Sequence, residues 1–173
     1  MIAWRLAKRE AIEAAFSGDG ARLYGGRWNP VGTPVVYAAT QVALAALELL
    51  GHIEPEEAAP HFSFRVNIPD ELVETLDVGT LPGGWDHPEP QEATAAIGAE
   101  WASSGRSLAL LVPSVHVPPG TGSELERNVL LNPRHPAFQK LVIEPGRPYS
   151  FDSRILPGRA PRSSPARPRR RRQ

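Results

Sequence analysis

One carboxylate stands inside an apolar stretch: Glu48 is flanked by Leu47, Leu49 and Leu50. An isolated buried charge costs several kcal/mol, so a carboxylate desolvated there must be paired or used in chemistry; the alternative is an exposed position on the helix surface. Arg27 lies in GGRWNP, where paired glycines let the backbone turn tightly or approach a ligand closely and the arginine offers a fork suited to phosphate. Its alternative is a loop arginine bonded to backbone carbonyls. Tyr37 sits in VVYAA between small residues, as a core ring or as a ring with room for a flat ligand to stack on it. An arginine, an aromatic and a carboxylate together describe a possible nucleotide-sugar site.

Other chemistries are disfavoured. The chain has no Cys, which removes disulfides, thiolate zinc sites and cysteine nucleophiles together. His52, His61, His87, His116 and His135 show no HxxxH or HExxH spacing, so no metal is expected, and His135 in NPRHP reads as a turn histidine. Neither a G-x-S-x-G elbow around Ser114 nor a Walker or Rossmann glycine pattern is present. No apolar run approaches the roughly 20 residues of a membrane span, and the N-terminus lacks the apolar stretch of a signal peptide. A soluble, cytoplasmic protein with no membrane contact is the expectation.

The elements that must position these residues follow from periodicity and punctuation. Short apolar runs separated by Gly and Pro, with helical patterns between them, predict an α+β domain. Ala3 to Leu6 reads as a strand, and Lys8 to Phe16 as a helix ended by SGDG. The Gly- and Pro-rich stretch holding Tyr24, Arg27 and Trp28 is an ordered loop, followed by a strand from Val35 to Ala39. Thr40 then caps a largely buried helix from Gln41 to His52. Strands are predicted at His61 to Ile68, Ser107 to Val112, two short stretches between Val115 and Pro136, and two near the end in KLVIEPG and YSFDSRI. A short acidic helix is expected near Glu71 to Leu76, a loop at Leu81 to Trp85, and a helix from Glu89 to Ser103 with Ile97 and Trp101 on one face. Trp28, Asn29, Trp85 and Trp101 are assigned to packing and loop support.

The 173 residues, 41% hydrophobic and 22% charged, suit one domain. The formal charge of zero conceals a segregation. Seven arginines and no acid lie between Arg159 and Arg172, leaving 12 basic against 19 acidic residues before them, so the body carries a charge of about −7. Residues 1–156 read as the folded domain and 157–173 as a disordered Arg/Pro-rich tail. That tail reads as a solvated end or one folded back on the acidic body, with nucleic-acid contact through phosphates as the alternative.

The order of motifs resembles a known family. GDGARLYGGRWNPVGTPVVYAAT, ALAALELLGHI, NIPD, LPGGW, IGAEW, LLVPS and NVLLNPRHP are similar, in that order, to the RES domain, from about Trp4 to Arg154. The resemblance implies a toxin of a bacterial toxin–antitoxin pair whose antitoxin partner carries an Xre-type helix-turn-helix domain. It further implies a compact ADP-ribosyltransferase-like fold with a mixed β core and about three helices. NAD+ would be the substrate, cut between nicotinamide and ribose, with NAD+ depletion and growth arrest as the result. Mono-ADP-ribosylation of a protein is the alternative, and a non-catalytic nucleic-acid-binding module is a third.

Carried over residue by residue, the resemblance places the family's arginine at Arg27, its strand tyrosine at Tyr37, its glutamate at Glu48 and its serine at Ser114. Asn128 and Arg5 follow from the RNVLLNP and WRL segments. The chemistry makes the types intelligible: losing neutral nicotinamide leaves an oxocarbenium-like ribose, which a carboxylate stabilises. Glu48 would do so or hold the ribose hydroxyls, Arg27 would clamp phosphate, and Tyr37 would stack on nicotinamide. Ser114 would bond NAD+ or position Glu48, and it is not expected to be a nucleophile. His52, one turn after Glu48, would orient the glutamate or line the cleft, with a core role as the alternative.

Overall fold

The computed structural model describes residues 1–8, 10–51, 60–89, 91–117, 125–152 and 155. His52 and the tail from residue 157 lie outside the described residues. The β-branched and aromatic runs bounded by Gly and Pro become eight strands of one sheet. They are β1 (Ile2–Ala7), β2 (Val36–Ala39), β3 (His61–Asn67), β4 (Val73–Thr75), β5 (Ala109–Val112), β6 (Asn128–Leu131), β7 (Val142–Ile143) and β8 (Arg147–Tyr149). The order is β4-β5-β6-β2-β1-β3-β7, with β8 also on β3, and every pairing is antiparallel except β4 with β5. Four α-helices are present among the described residues: α1 (Ile12–Ala15), α2 (Asp19–Tyr24), α3 (Val42–Leu50) and α4 (Glu92–Ser104).

Residues directly opposite across a ladder share a face of the sheet, so register sorts the core into two layers. Ala3, Phe64, Val66, Val36, Ala38, Val129, Leu131 and Ala109 pack on one face with Phe16 from the end of α1. On the other face, Leu110, Val112 and Leu130 meet Trp28, Trp85 and Trp101. Farther along that second face, Leu6 and Ala39 pack under Leu44, Ala45 and Ala46 of α3. Tyr37 is paired with Leu130, and Asn128 with both Ala39 and Val112. Both therefore lie on the second face, at the seam between the tryptophan cluster and α3.

Between β1 and β2 the ladder has a single paired position, Trp4 with Ala39. Arg5 closes the gap from the first face. Its Nη1 donates to the Tyr37 carbonyl at 2.5 Å and its Nε to the Ala15 carbonyl at 2.6 Å, with the guanidinium 5.8 Å from the Phe16 ring. Burial pulls its pKa down to about 10, a cost offset in part by its hydrogen bonds to the two carbonyls.

Several local expectations change. The helix expected over Lys8–Phe16 and ended by SGDG is shortened to α1, and α2 begins directly after Gly18, at φ +74°, at the start of the stretch expected to be an ordered loop. Gln41, not Thr40, occupies the N-cap of α3, because the Thr40 hydroxyl is committed to the Leu125 carbonyl and the Arg127 N–H, each at 3.0 Å. The acidic helix expected near Glu71 is a 3-10 turn at Asp70–Leu72 leading into β4, since the parallel edge of β5 offers backbone partners there. Of the two strands predicted between Val115 and Pro136, β6 forms, and residues 118–124 lie outside the described residues. No helix among the described residues is long and apolar enough to cross a membrane.

The tryptophan cluster depends on one glycine. A Cβ at Gly98 of α4 would lie 1.8 Å from the Trp28 carbonyl oxygen, a backbone atom that cannot swing aside. Gly98→Ala should destabilise the protein by about 3 kcal/mol, read from a denaturant midpoint. Gly20→Ala, in open space within α2, should leave stability unchanged or raise it by less than about 1 kcal/mol.

Candidate active site

Helix α3 turns an unexpected side chain inward. Leu44 and Ala45 are buried against the sheet, and Glu48, four and three residues later, falls on the same stripe, while Leu47 remains 43% exposed. The carboxylate is received by partners from two strands. Glu48 Oε1 accepts from Ser114 Oγ and from Asn128 Nδ2, each at 2.6 Å. Asn128 opens β6, and Ser114 lies two residues past the end of β5, so the sheet places both donors at one end of neighbouring strands. Short bonds to an ionised carboxylate are stronger than neutral ones and hold it in one orientation. The second oxygen, Oε2, is 3.6 Å from His116 Nε2. Glu48 and His116 keep 25% and 31% of their side-chain surface exposed, so this part of the cluster is reachable from solvent.

Arg27 and Tyr37 reach the cluster from the loop after α2 and from β2. The loop is a tight turn in which Gly26 and Asn29 exchange backbone hydrogen bonds. Asn29 is buried at its centre, its amide nitrogen within hydrogen-bond distance of the Ala21, Pro30 and Thr33 carbonyls. The Tyr37 hydroxyl donates to Asn29 Oδ1 at 2.7 Å and accepts from the Trp28 N–H at 3.1 Å. That contact requires Gly26, because a Cβ there would lie 2.7 Å from the tyrosine oxygen. Burial pushes the Tyr37 hydroxyl well above the ordinary tyrosine value, so it remains a neutral donor.

Arg27 spends part of its fork on the protein. Nη1 donates to the Trp85 carbonyl at 2.8 Å, and Nη2 to the His87 and Pro88 carbonyls at 2.7 and 3.0 Å. Partial burial lowers its pKa, and the charges of Glu48 and Asp86 act against that shift. The guanidinium therefore fastens the loop at residues 85–88 and lies within the field of the Glu48 carboxylate. Of its five N–H donors, Nε–H and the second Nη1–H carry no protein partner among the described residues.

Thus Glu48, Ser114 and Asn128 are joined directly, and Arg27 and Tyr37 are electrostatic neighbours of Glu48. Arg5 is not among them: it projects from the opposite face of the sheet and reaches Tyr37 only through its backbone carbonyl. His116 has no histidine spacing suited to a metal, so metal-ligand patterns in the sequence do not single it out. Its signal is its place two residues after Ser114, in a turn closed by the His116 N–H donating to Ser114 Oγ at 3.0 Å. Among the described residues no group of three or more His, Cys, Asp or Glu is placed to hold a metal ion.

Comparison with known proteins adds a family. The family model described as RES domain matches residues 2–152. The chain is 41% identical over 158 residues to "Toxin Res" of Photorhabdus laumondii, covering 90% of this chain and 97% of that one. It is 36% identical over 159 residues to "Prs ADP-ribosylating toxin" of Sphingobium sp. strain YBL2, covering 88% and 95%. The fold is similar to that in a crystal structure of the M. tuberculosis MbcT–MbcA toxin–antitoxin complex, with a TM-score of 0.61 at 18% identity, covering 89% of this chain and 85% of that one.

The clamp on residues 85–88 predicts its own loss. A lysine in place of Arg27 cannot span three carbonyls with a planar fork. Arg27→Lys should therefore speed amide hydrogen exchange across residues 83–89 by about tenfold, equivalent to about 1.4 kcal/mol, without changing exchange in β5 and β6.

Proposed function

The chain belongs to the RES domain family, and from that premise we propose that it is a toxin–antitoxin toxin that cleaves the nicotinamide–ribose bond of NAD+. The observation that carries the reading is the Glu48 carboxylate, turned inward on α3 and held through Oε1 by Ser114 and Asn128. A carboxylate fixed before substrate arrives, and partly shielded from water, stabilises a cation developing beside it without first reorganising. Departure of neutral nicotinamide creates such a cation at the ribose C1′. The two donors on Oε1 fix the orientation in which the carboxylate meets the ribose.

Arg27 supplies positive charge for the pyrophosphate. Its remaining N–H groups take a phosphate oxygen while the other donors keep residues 85–88 in place. The Tyr37 ring, fixed through its hydroxyl by Asn29 and Trp28, gives the nicotinamide a flat surface. Ser114 and Asn128 act through Glu48. No metal is needed for any of these steps. Arg5 contributes by holding β1, β2 and the end of α1 together, not by contact with NAD+.

Transfer of ADP-ribose to a protein is the second reading, favoured by the name of the Sphingobium relative. Both reactions share the same first bond broken. An antitoxin is the proposed partner that silences the toxin, supported by the toxin–antitoxin complex of the structural relative, and the family resemblance implies an Xre-type helix-turn-helix protein and action in the cytoplasm.

Purified protein should release nicotinamide from NAD+, and Glu48→Ala should lower kcat by about 10³-fold, the scale of a lost electrostatic stabiliser. Arg27→Ala should raise KM by at least about tenfold. Circular dichroism should show both variants folded. With labelled NAD+ in a bacterial lysate, free ADP-ribose as the main product supports cleavage, whereas a single labelled protein band supports transfer. No nicotinamide release under any acceptor condition would refute both.

A further inference from the structure

Cleavage solves only half of the reaction, because an acceptor must then attack C1′ and lose a proton. The groups already placed at the site are poor bases for that step. Arg27 is a cation, the Tyr37 hydroxyl is kept protonated by burial and committed to Asn29, and the Ser114 hydroxyl donates to Glu48. Glu48 has its charge engaged with the ribose cation.

His116 differs from all of these. Its Nε2 lies 3.6 Å from Glu48 Oε2, too far for a direct hydrogen bond and close enough for both atoms to hold one water from the side. The turn that fixes Glu48 also fixes the histidine, since Ser114 Oγ donates to Glu48 and accepts from the His116 N–H. A space is reserved for the ring at the end of α3. A Cβ on Gly51 would stand 3.2 Å from Nε2 and 3.3 Å from Cε1. Gly51 has φ −68° and ψ −9°, ordinary helical values open to any residue, so the backbone does not require glycine there. The imidazole does.

Resting on the NAD+ cleavage proposed above, we infer that His116 is the base that takes the proton of the acceptor. The C1′–N bond breaks with its electron pair leaving on nicotinamide. The acceptor water then forms a C1′–O bond to the ribose, and the proton it loses passes to neutral His116 Nε2, giving ADP-ribose and an imidazolium. Positive charge thereby moves from the ribose to the imidazole, both beside Glu48, so the carboxylate keeps an opposite charge throughout. Solvent later removes the proton.

Return of nicotinamide to the same ribose cation needs no base, because the pyridine nitrogen attacks with a lone pair and carries no proton to lose. The test is therefore a partition experiment on the full chain, with NAD+ and labelled nicotinamide present together. ADP-ribose formation and entry of label into NAD+ are measured side by side. In His116→Gln the ratio of exchange to hydrolysis should rise by at least about tenfold, since a general base is worth roughly 10²- to 10⁴-fold. Gly51→Ala, which crowds the ring without removing it, should shift the ratio the same way by a smaller factor. A His116→Gln variant in which exchange and hydrolysis fall together, leaving the ratio unchanged, would overturn the role while leaving NAD+ cleavage intact. A wild-type protein that neither hydrolyses nor exchanges would overturn both.

Discussion

The direction in which α3 presents Glu48 is the constraint around which the other parts are arranged. A nine-residue helix with Leu47, Leu49 and Leu50 available turns a carboxylate toward the sheet and leaves Leu47 43% exposed. Apolar transfer alone would favour the opposite rotation. The inward charge is tolerable because β5 and β6 end at one level and supply Ser114 and Asn128 to a single oxygen. Removing either donor would leave a half-buried carboxylate with one hydrogen bond fewer, so the strand register is tied to the chemistry of the site.

A second arrangement brings positive charge to that carboxylate without letting it collapse onto the glutamate. Arg27 could lie near Glu48 and be neutralised, but three carbonyls from residues 85–88 hold its fork to a different wall. Asn29 makes the supporting turn rigid, Gly26 lets the Tyr37 hydroxyl close on it, and Gly98 lets α4 press against Trp28. Three small or polar positions, Gly26 and Asn29 in one turn and Gly98 in α4, thus set where one guanidinium stands. Arg5 does comparable work on the other face, where it bridges the gap between β1 and β2.

Much of this was legible in the residues. The strand runs were clear because Val, Ile and Phe alternate between Gly and Pro breaks, and β1, β2, β3 and β5 appear within two residues of where they were expected. Glu48 stood out because a charge in an apolar run is a conflict, and conflicts mark sites. Arg27 takes the reading of a loop arginine bonded to backbone carbonyls, and it also sits in the field of Glu48. What could not be read were choices decided by distant partners. Thr40 fails to cap α3 because Leu125 and Arg127 claim its hydroxyl, and the segment after Asp70 becomes a strand because β5 offers an edge. His116 escaped because its meaning lies in Gly51 and Glu48, 65 and 68 positions away in the chain.

The central claim is that Ser114 and Asn128 serve catalysis by holding Glu48 and in no other way. A mutant cycle on nicotinamide release tests it directly, comparing the Ser114→Ala/Asn128→Ala pair in the wild-type background with the same pair in Glu48→Ala. Acting through one carboxylate, the pair should lower kcat by about 10²-fold in the wild-type background and by less than about twofold once Glu48 is gone. Equal losses in both backgrounds would contradict the claim, because the two side chains would then be touching NAD+ on their own.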